Sequence, residues 1–530
     1  MRLKNGRSTT QPMRRSCSYS VRRVCSELLV LLLAVAQPVY AEDAAPESTA
    51  GIESADVAQA TSEGENSIPL PKGVPPIPAP DDSGAKLFVS SQNVSLFHEI
   101  LIAPLAAWLK ESKLIIRVVR ELNFAWTYLP PWDGSAGDAA YSLRSDRSLL
   151  PKENPPKPGF PFGNAQVLDK ENDPEVKAYK ILWNTAFAKS ISQALLYDLD
   201  LSWVGSQSLL RYSTGGLFRY YPPAAEQQSA ENQFMEQEVF QLLDPPVVFG
   251  FSSLSWRYLS ADEDQMWIYS PVTGKVRTLL SSNRSDNLVG SIVTSDDVFV
   301  WSGKVQAFNA KVVGERVLLA PFPSLRMYDV SQSESFTPGI RVIGEKESET
   351  EASAGPEGET AETKKEVSAP VVRAPYQTRT GTPSMVLWNH QSRRLPQAAP
   401  WAPVSVFFVP RNFWILELSP RDPFYSSGRM ILAVDKESML PFYKVVYDRD
   451  GSLLKTVIGS WGLARESELT PRFPFAAFVL VVHAKENSVS SLTSQHVAVF
   501  PDTSKLPPEL LAMLDIQNYI STEEKSKEKK

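Results

Sequence analysis

Arg429-Met-Ile-Leu-Ala-Val434 leads through Asp435-Lys-Glu-Ser-Met-Leu-Pro441 into Phe442-Tyr-Lys-Val-Val-Tyr447, and then through Asp448-Arg-Asp-Gly451 into the run from Leu453 to Trp461. These apolar runs are rich in β-branched and aromatic residues and are separated by turn chemistry, so they read as strands of an antiparallel meander. Asp450-Gly451 is the strongest signal, because glycine takes a positive φ without steric cost and lets the strands pair. A matching hairpin is read at Met266-Trp-Ile-Tyr269, Ser270-Pro-Val-Thr-Gly274 and Lys275-Val-Arg277. There proline sets the entry to the turn and glycine closes its exit.

Working outward, strands are read at 199–205, 207–213, 216–221, 247–258, 265–270, 275–280 and 304–319, and again at 401–409, 412–419, 474–484 and 492–500. Helical spacing covers Ser95–Trp108, with Pro104 inside it, and Leu114–Leu129 alternates as a strand. Asp173-Pro174 opens a helix reaching about Lys189, and a short helix is read from Pro507 to Leu514. Helices cluster early, strands dominate afterwards and no βαβ alternation occurs, which makes the fold class α+β around a large antiparallel sheet.

The 530-residue chain divides by composition. Residues 1–41 read as a cleavable export signal, with a basic start, an apolar run from Leu28 to Ala36, and Val39-Tyr40-Ala41 before the cut. Residues 42–86 form an acidic, proline-rich leader, residues 344–370 an acidic insert, and residues 519–530 a charged tail, all too polar to build a core. The folded domain is read as 87–518. The leader stretch 42–83 holds nine acids against one base, and 344–370 eight acids against three bases, so the acidity belongs to tethers. No basic stripe argues for nucleic acid.

Both cysteines, Cys17 and Cys25, precede the expected cut, which removes disulfides and thiol chemistry from the mature chain. Four histidines (His98, His390, His483, His496) show no ligand spacing, so no metal site is read. No nucleophile elbow and no phosphate-cradling glycine loop is present, so neither an enzyme nor a cofactor-binding protein is expected. Asp262-Glu-Asp264 and Asp296-Asp297 are acidic pairs at turns, where aspartate ordinarily accepts local backbone donors.

The order of several segments resembles a known family over roughly residues 95–518. They are Ala103-Pro104 with Lys113-Leu-Ile-Ile-Arg-Val118, Phe124-Ala-Trp-Thr-Tyr128, Gly159-Phe-Pro-Phe-Gly163, Trp183-Asn184, Asp264-Gln-Met-Trp-Ile-Tyr-Ser-Pro271, Lys311-Val-Val-Gly314, and Asp422-Pro-Phe-Tyr-Ser-Ser-Gly-Arg429 through Asp435-Lys436 to Tyr447-Asp448. The family is the domain-of-unknown-function family 1329 of exported Gram-negative proteins, related to the LolA and LolB lipoprotein carriers. The resemblance implies a half-barrel, a curved antiparallel sheet wrapped around a few helices. It also implies a periplasmic location, outer-membrane association, and a hydrophobic ligand such as a lipid or acyl chain, with an inner-membrane exporter and an outer-membrane protein as partners. A non-catalytic structural or adaptor subunit of an envelope complex is the alternative.

Alternate strand positions face inward on a curved sheet, which makes Trp203, Phe251, Trp256, Trp267, Trp301, Phe408, Trp414 and Phe442 candidates for lining the cavity. Core packing against the helices is the plainer reading of each.

Overall fold

A computed structural model describes residues 68–80, 87–129, 141–152, 159–191, 194–222, 234–331, 376–378, 386–392, 394–465, 472–485, 488–500 and 506–519. The export signal, most of the leader, the acidic insert and the tail from 520 onward lie outside the described residues.

The helices are α1 (Ala103–Lys110), α2 (Ala165–Leu168), α3 (Pro174–Ala188), α4 (Asn389–Ser392) and α5 (Pro508–Ala512). The strands are β1 (Leu87–Val89), β2 (Ile116–Val118), β3 (Tyr141–Leu143), β4 (Leu149–Pro151), β5 (Ala194–Val204), β6 (Leu209–Tyr220), β7 (Phe234–Asp244), β8 (Ser252–Tyr258), β9 (Gln265–Ser270) and β10 (Lys275–Leu279), followed by β11 (Phe308–Phe322), β12 (Tyr328–Ser331), β13 (Tyr376–Thr378), β14 (Phe407–Pro420), β15 (Arg429–Asp435), β16 (Pro441–Tyr447), β17 (Leu453–Arg465), β18 (Phe473–His483) and β19 (Val489–Phe500).

Among the described residues seventeen strands join one sheet, and β3 and β4 form a separate hairpin. Its spine is a ribbon of antiparallel neighbours in the order β10, β9, β8, β7, β6, β5, β19, β18, β17, β16, β15, β14, β11. Two parallel pairings, β2 on β14 and β12 on β17, make the sheet mixed. The α+β class with a large antiparallel sheet and few helices is therefore what the chain adopts.

Helix α3 shows how the ribbon bends. Asp173 caps it by accepting from the Glu175 and Val176 amides at 2.8 and 3.1 Å, and Pro174 fills the first turn. Its Tyr179 hydroxyl donates to the Phe308 carbonyl on β11, while Lys189 just past its end lies beside Arg219 of β6. One helix thus meets both arms of the ribbon, so the face that carries α3 is the inner face. Most of the apolar core lies on that side. A second cluster on the outer face sets Leu196, Phe218, Val239 and Leu254 against Leu510, Met513 and Leu514 of the C-terminal segment.

Several local expectations change for physical reasons. Pro104 does not split a helix over 95–108; it sits in the first turn of α1, after two 3₁₀ turns at Val94–Leu96 and His98–Ile100. The strand read over 114–129 contracts to β2. The strands read at 207–213 and 216–221 are one strand, β6, which runs through Gly215, where an added Cβ would lie 3.0 Å from the Gln241 carbonyl. Likewise 401–409 and 412–419 merge into β14. Ile68–Pro80, read as solvated leader, packs on the fold, with Ile77 only 4% exposed and the Pro78 carbonyl accepting from the Arg120 amide.

The β16–β17 turn gives a clean test. Gly451 has φ +83° and open space around it, so Gly451→Ala costs only backbone strain. Its expected penalty is about 1–2 kcal/mol, read as a lower urea midpoint with unchanged slope.

Candidate functional site

Between β10 and β11 the chain leaves the sheet and crosses the inner face as a strap, residues 281–307, built of short 3₁₀ turns. Its own Val293, Phe299, Val300 and Trp301 are buried, and so are its Arg284, Asp296 and Asp297. Backbone and ring contacts seat it on both arms of the ribbon. Phe299 stacks on Trp461 of β17 and meets Tyr197 of β5 edge-on, and Arg219 lies 4.2 Å above its ring. Phe299 and Val300 both hold positive φ, 58° and 68°. For a β-branched valine this is a strained conformation, kept only because the surroundings over-determine it.

Those surroundings are ionic. Asp297 meets Lys444 of β16 at 2.8 Å and Lys455 of β17 at 2.5 Å. Asp296 takes Arg284 Nε at 2.7 Å and the Tyr425 hydroxyl at 2.7 Å. Lys444 also donates to the Asp296 carbonyl, and Lys189 donates to the Trp301 carbonyl at 3.0 Å. Asp264, before β9, gathers Lys304 at 2.8 Å, Arg257 at 3.0 Å and Arg284 at 3.9 Å. Arg257 continues to Glu236 at 2.9 Å, and Arg219 bridges Glu236 and Glu238 of β7. The result is a chain of buried charges running from β7 under the strap to β17.

Burial raises the cost of ionising these carboxyls, but the cations overcome it. Glu236 is held down at about 2 by Arg219 and Arg257. Asp264 is held at about 2 by Arg257, Lys304 and Arg284. Asp297 is lowered further by its two lysines. Lys189 goes the other way: desolvation, reinforced by Arg219, pulls it down to about 7.

The aromatic candidates divide. Trp203 lies on the inner face with Arg211 3.9 Å over its ring, and Trp301 is part of the strap. Trp414 is fully buried on the α3 side and donates to Asp169 at 2.8 Å. Phe408 and Phe442 are buried in the main core, Phe442 against Phe322 and Phe413, while Phe251 is half-buried against the same core. Trp256 and Trp267 do not face inward. They pack edge to face on the outer side, where Trp256 donates to the Leu514 carbonyl, because Arg257, next to Trp256, faces inward and Trp267 pairs opposite Leu254 of the outer cluster.

Asp296 and Asp297 do more than serve local donors. Asp297 accepts from the Thr294 amide and hydroxyl, as an aspartate at a turn should, and also takes the two lysines. The charged partners Arg219, Glu236, Arg257, Lys444 and Lys455 escaped the sequence reading. Their signal was present as lone charges at inward strand positions, where a buried charge must find a partner. Among the described residues no cluster of histidine, cysteine and carboxylate side chains suits a metal, and no helix is long and apolar enough to cross a membrane.

An open, bent sheet with an ion-clamped strap across its inner face defines the class of fold. A family model described as "Protein of unknown function (DUF1329)" matches residues 154–340, a stretch that contains β5 to β11 and the strap, so the resemblance read from sequence holds there. No curated protein matches the chain. Among solved structures, the chain is similar to a putative outer membrane lipoprotein-sorting protein domain from Vibrio parahaemolyticus, at 12% identity, 61% of this chain, 93% of that one and a TM-score of 0.36. It is also similar to a DUF1329 family protein from Desulfovibrio piger, at 13% identity, 63% and 100% coverage and a TM-score of 0.37. A LolA superfamily protein from Nitrosomonas europaea gives 11% identity, 62% and 98% coverage and a TM-score of 0.32.

Removing one member of the clamp leaves buried cations uncompensated. Asp264→Asn is expected to cost about 3–5 kcal/mol in chemical denaturation. The pH dependence follows from the directions given. Glu236 and Asp264 contribute stability above their unfolded values of about 4, and that stability is lost as pH falls toward 2. Lys189 penalises the fold while charged, so stability should rise between pH 7 and 10.5, and Lys189→Met should abolish that alkaline rise.

Proposed function

We propose that this protein is a non-enzymatic periplasmic carrier that holds a hydrophobic molecule, a lipid or acyl chain, against the inner face of its sheet, and passes it between an inner-membrane exporter and the outer membrane. The observation that carries the reading is the strap. Beside α3, part of the inner face is covered by an irregular, strained segment of the protein's own chain, where a further helix or strand would give a permanent cover.

The apolar surface beneath it supports the same reading. Phe299 sits against Tyr197 and Trp461, Val300 lies over Gly459 and Trp301 meets Phe308, and the indole nitrogens of Trp203 and Trp301 have no hydrogen-bond acceptor among the described residues. A greasy guest would replace these contacts with its own at about 0.8 kcal/mol for each buried methylene. Recognition by burial alone accords with the lack of a polar motif.

An adaptor role is the second reading, favoured by one observation. Among the described residues strand β10 has a single pairing partner, and the residues flanking it, Val272 and Leu280, are 78% and 70% exposed. Such an edge can accept a strand from another protein.

The test is mass spectrometry of organic extracts from the protein purified from its own periplasm, beside Gly459→Ala. An added Cβ at Gly459 would lie 2.1 Å from Val300 Cγ2, so the variant should lift the strap. The expected results are a co-purifying lipid, faster amide exchange over 292–302 in Gly459→Ala, and altered lipid occupancy in that variant. A chain that never carries lipid, or an occupancy indifferent to a lifted strap, would sink the carrier reading.

A further inference from the structure

The β3–β4 hairpin and the first half of α3 enclose a cleft of about 480 Å³, away from the strap. Its lining includes Arg144, Arg147, Lys152 and Lys180 over an aromatic floor of Tyr141 and Phe162, and among the described residues no carboxylate lines it. The hairpin explains the concentration of charge. Its connecting turn runs Arg144-Ser-Asp-Arg147, and Arg147 takes φ +70°, which projects both arginines from one short turn.

The cations are unequally committed. Lys180 is held by Glu171 at 2.6 Å. Arg147 is fixed in place: its carbonyl accepts from the Trp183 indole at 2.9 Å and its guanidinium lies 4.7 Å over the Tyr179 ring. Its ion partner Glu175 is 3.7 Å away and 63% exposed, a contact that solvent weakens. Arg144 and Lys152 have no ion pair among the described residues; the neighbouring Asp146, which feels the Arg144 charge, turns back to accept from the Ser148 amide and hydroxyl. The cleft therefore carries an excess of positive charge.

We propose that this cleft binds a phosphate-bearing group attached to a small apolar body. The charge calls for an anion, and paired guanidinium forks suit phosphate oxygens. The volume lies within the range of small-molecule sites and exceeds what a bare phosphate fills, which leaves the aromatic floor to take the apolar part. The phosphate belongs either to a soluble ester or to a lipid headgroup.

The experiment titrates the full chain, at low and at moderate salt, with glycerol 3-phosphate by calorimetry. In parallel it sediments the chain with vesicles of phosphatidylglycerol in phosphatidylcholine and of phosphatidylcholine alone. Arg144→Glu combined with Lys152→Glu is compared with the control Lys110→Glu combined with Lys275→Glu, which makes the same charge change elsewhere. All four lysine and arginine positions are exposed, so both variants should melt as the parent does. The expected result is saturable binding that weakens with salt, falls at least tenfold in the cleft variant and persists in the control. Binding of glycerol 3-phosphate assigns a soluble ester; binding only to anionic vesicles assigns a headgroup. The proposal is overturned if the parent binds neither ligand, or if the cleft and control variants lose binding equally.

Discussion

Asp297 between Lys444 and Lys455 is the contact on which the inner architecture turns. Three full charges there lie out of water, a placement tolerable only when each is paired and hydrogen-bonded. Buried ion pairs often add little to net stability compared with apolar residues of the same shape. Their value here is positional. A strap of 3₁₀ turns has no ladder of backbone hydrogen bonds to set its register on the sheet, and apolar contacts alone would let it slide. Aspartates 296 and 297 fix that register against β16, β17 and Tyr425, and Asp264 repeats the arrangement on the other arm.

The magnitudes show why the strap stays seated and why it can be moved. Positive φ at Phe299 and Val300 costs on the order of 1–3 kcal/mol each. Burying Phe299, Val300 and Trp301 returns about 1.5–3 kcal/mol apiece, so burial exceeds strain by a modest margin. Apolar burial alone thus leaves little to spare, and the buried ion pairs of Asp296, Asp297 and Lys304 supply the rest of what keeps the strap seated. A ligand with a dozen buried methylenes has more apolar surface to offer than the strap does.

The meander and the β9–β10 hairpin were legible because their turns carry Gly451 and Gly274 at positive φ, an unambiguous local signal. Helix α3 was legible from Asp173-Pro174, since capping is also local. Strand β7 was missed because Glu236, Gln237, Glu238 and Gln241 make it look like a loop; its inward polar positions are matched only by Arg219 and Arg257 on neighbouring strands. The same long-range pairing hid the clamp, whose members are scattered from Lys189 to Lys455. Trp256 and Trp267 were recognised as strand aromatics, but nothing within their own strands says which face α5 covers.

Strand β5 pairs along its length with β19, so the early and late portions of the ribbon are joined through a strand that ends at Phe500. No shorter stretch of polypeptide can complete the sheet. Synthesised from its amino end, the molecule must keep β5 to β10 waiting, with one arm unpaired, until nearly the last residue has emerged. Closing so distant a contact is slow, and the waiting edge is open to wrong partners. Completion of the ribbon therefore waits for β19, and until that strand is made the free side of β5 has to be kept from pairing elsewhere.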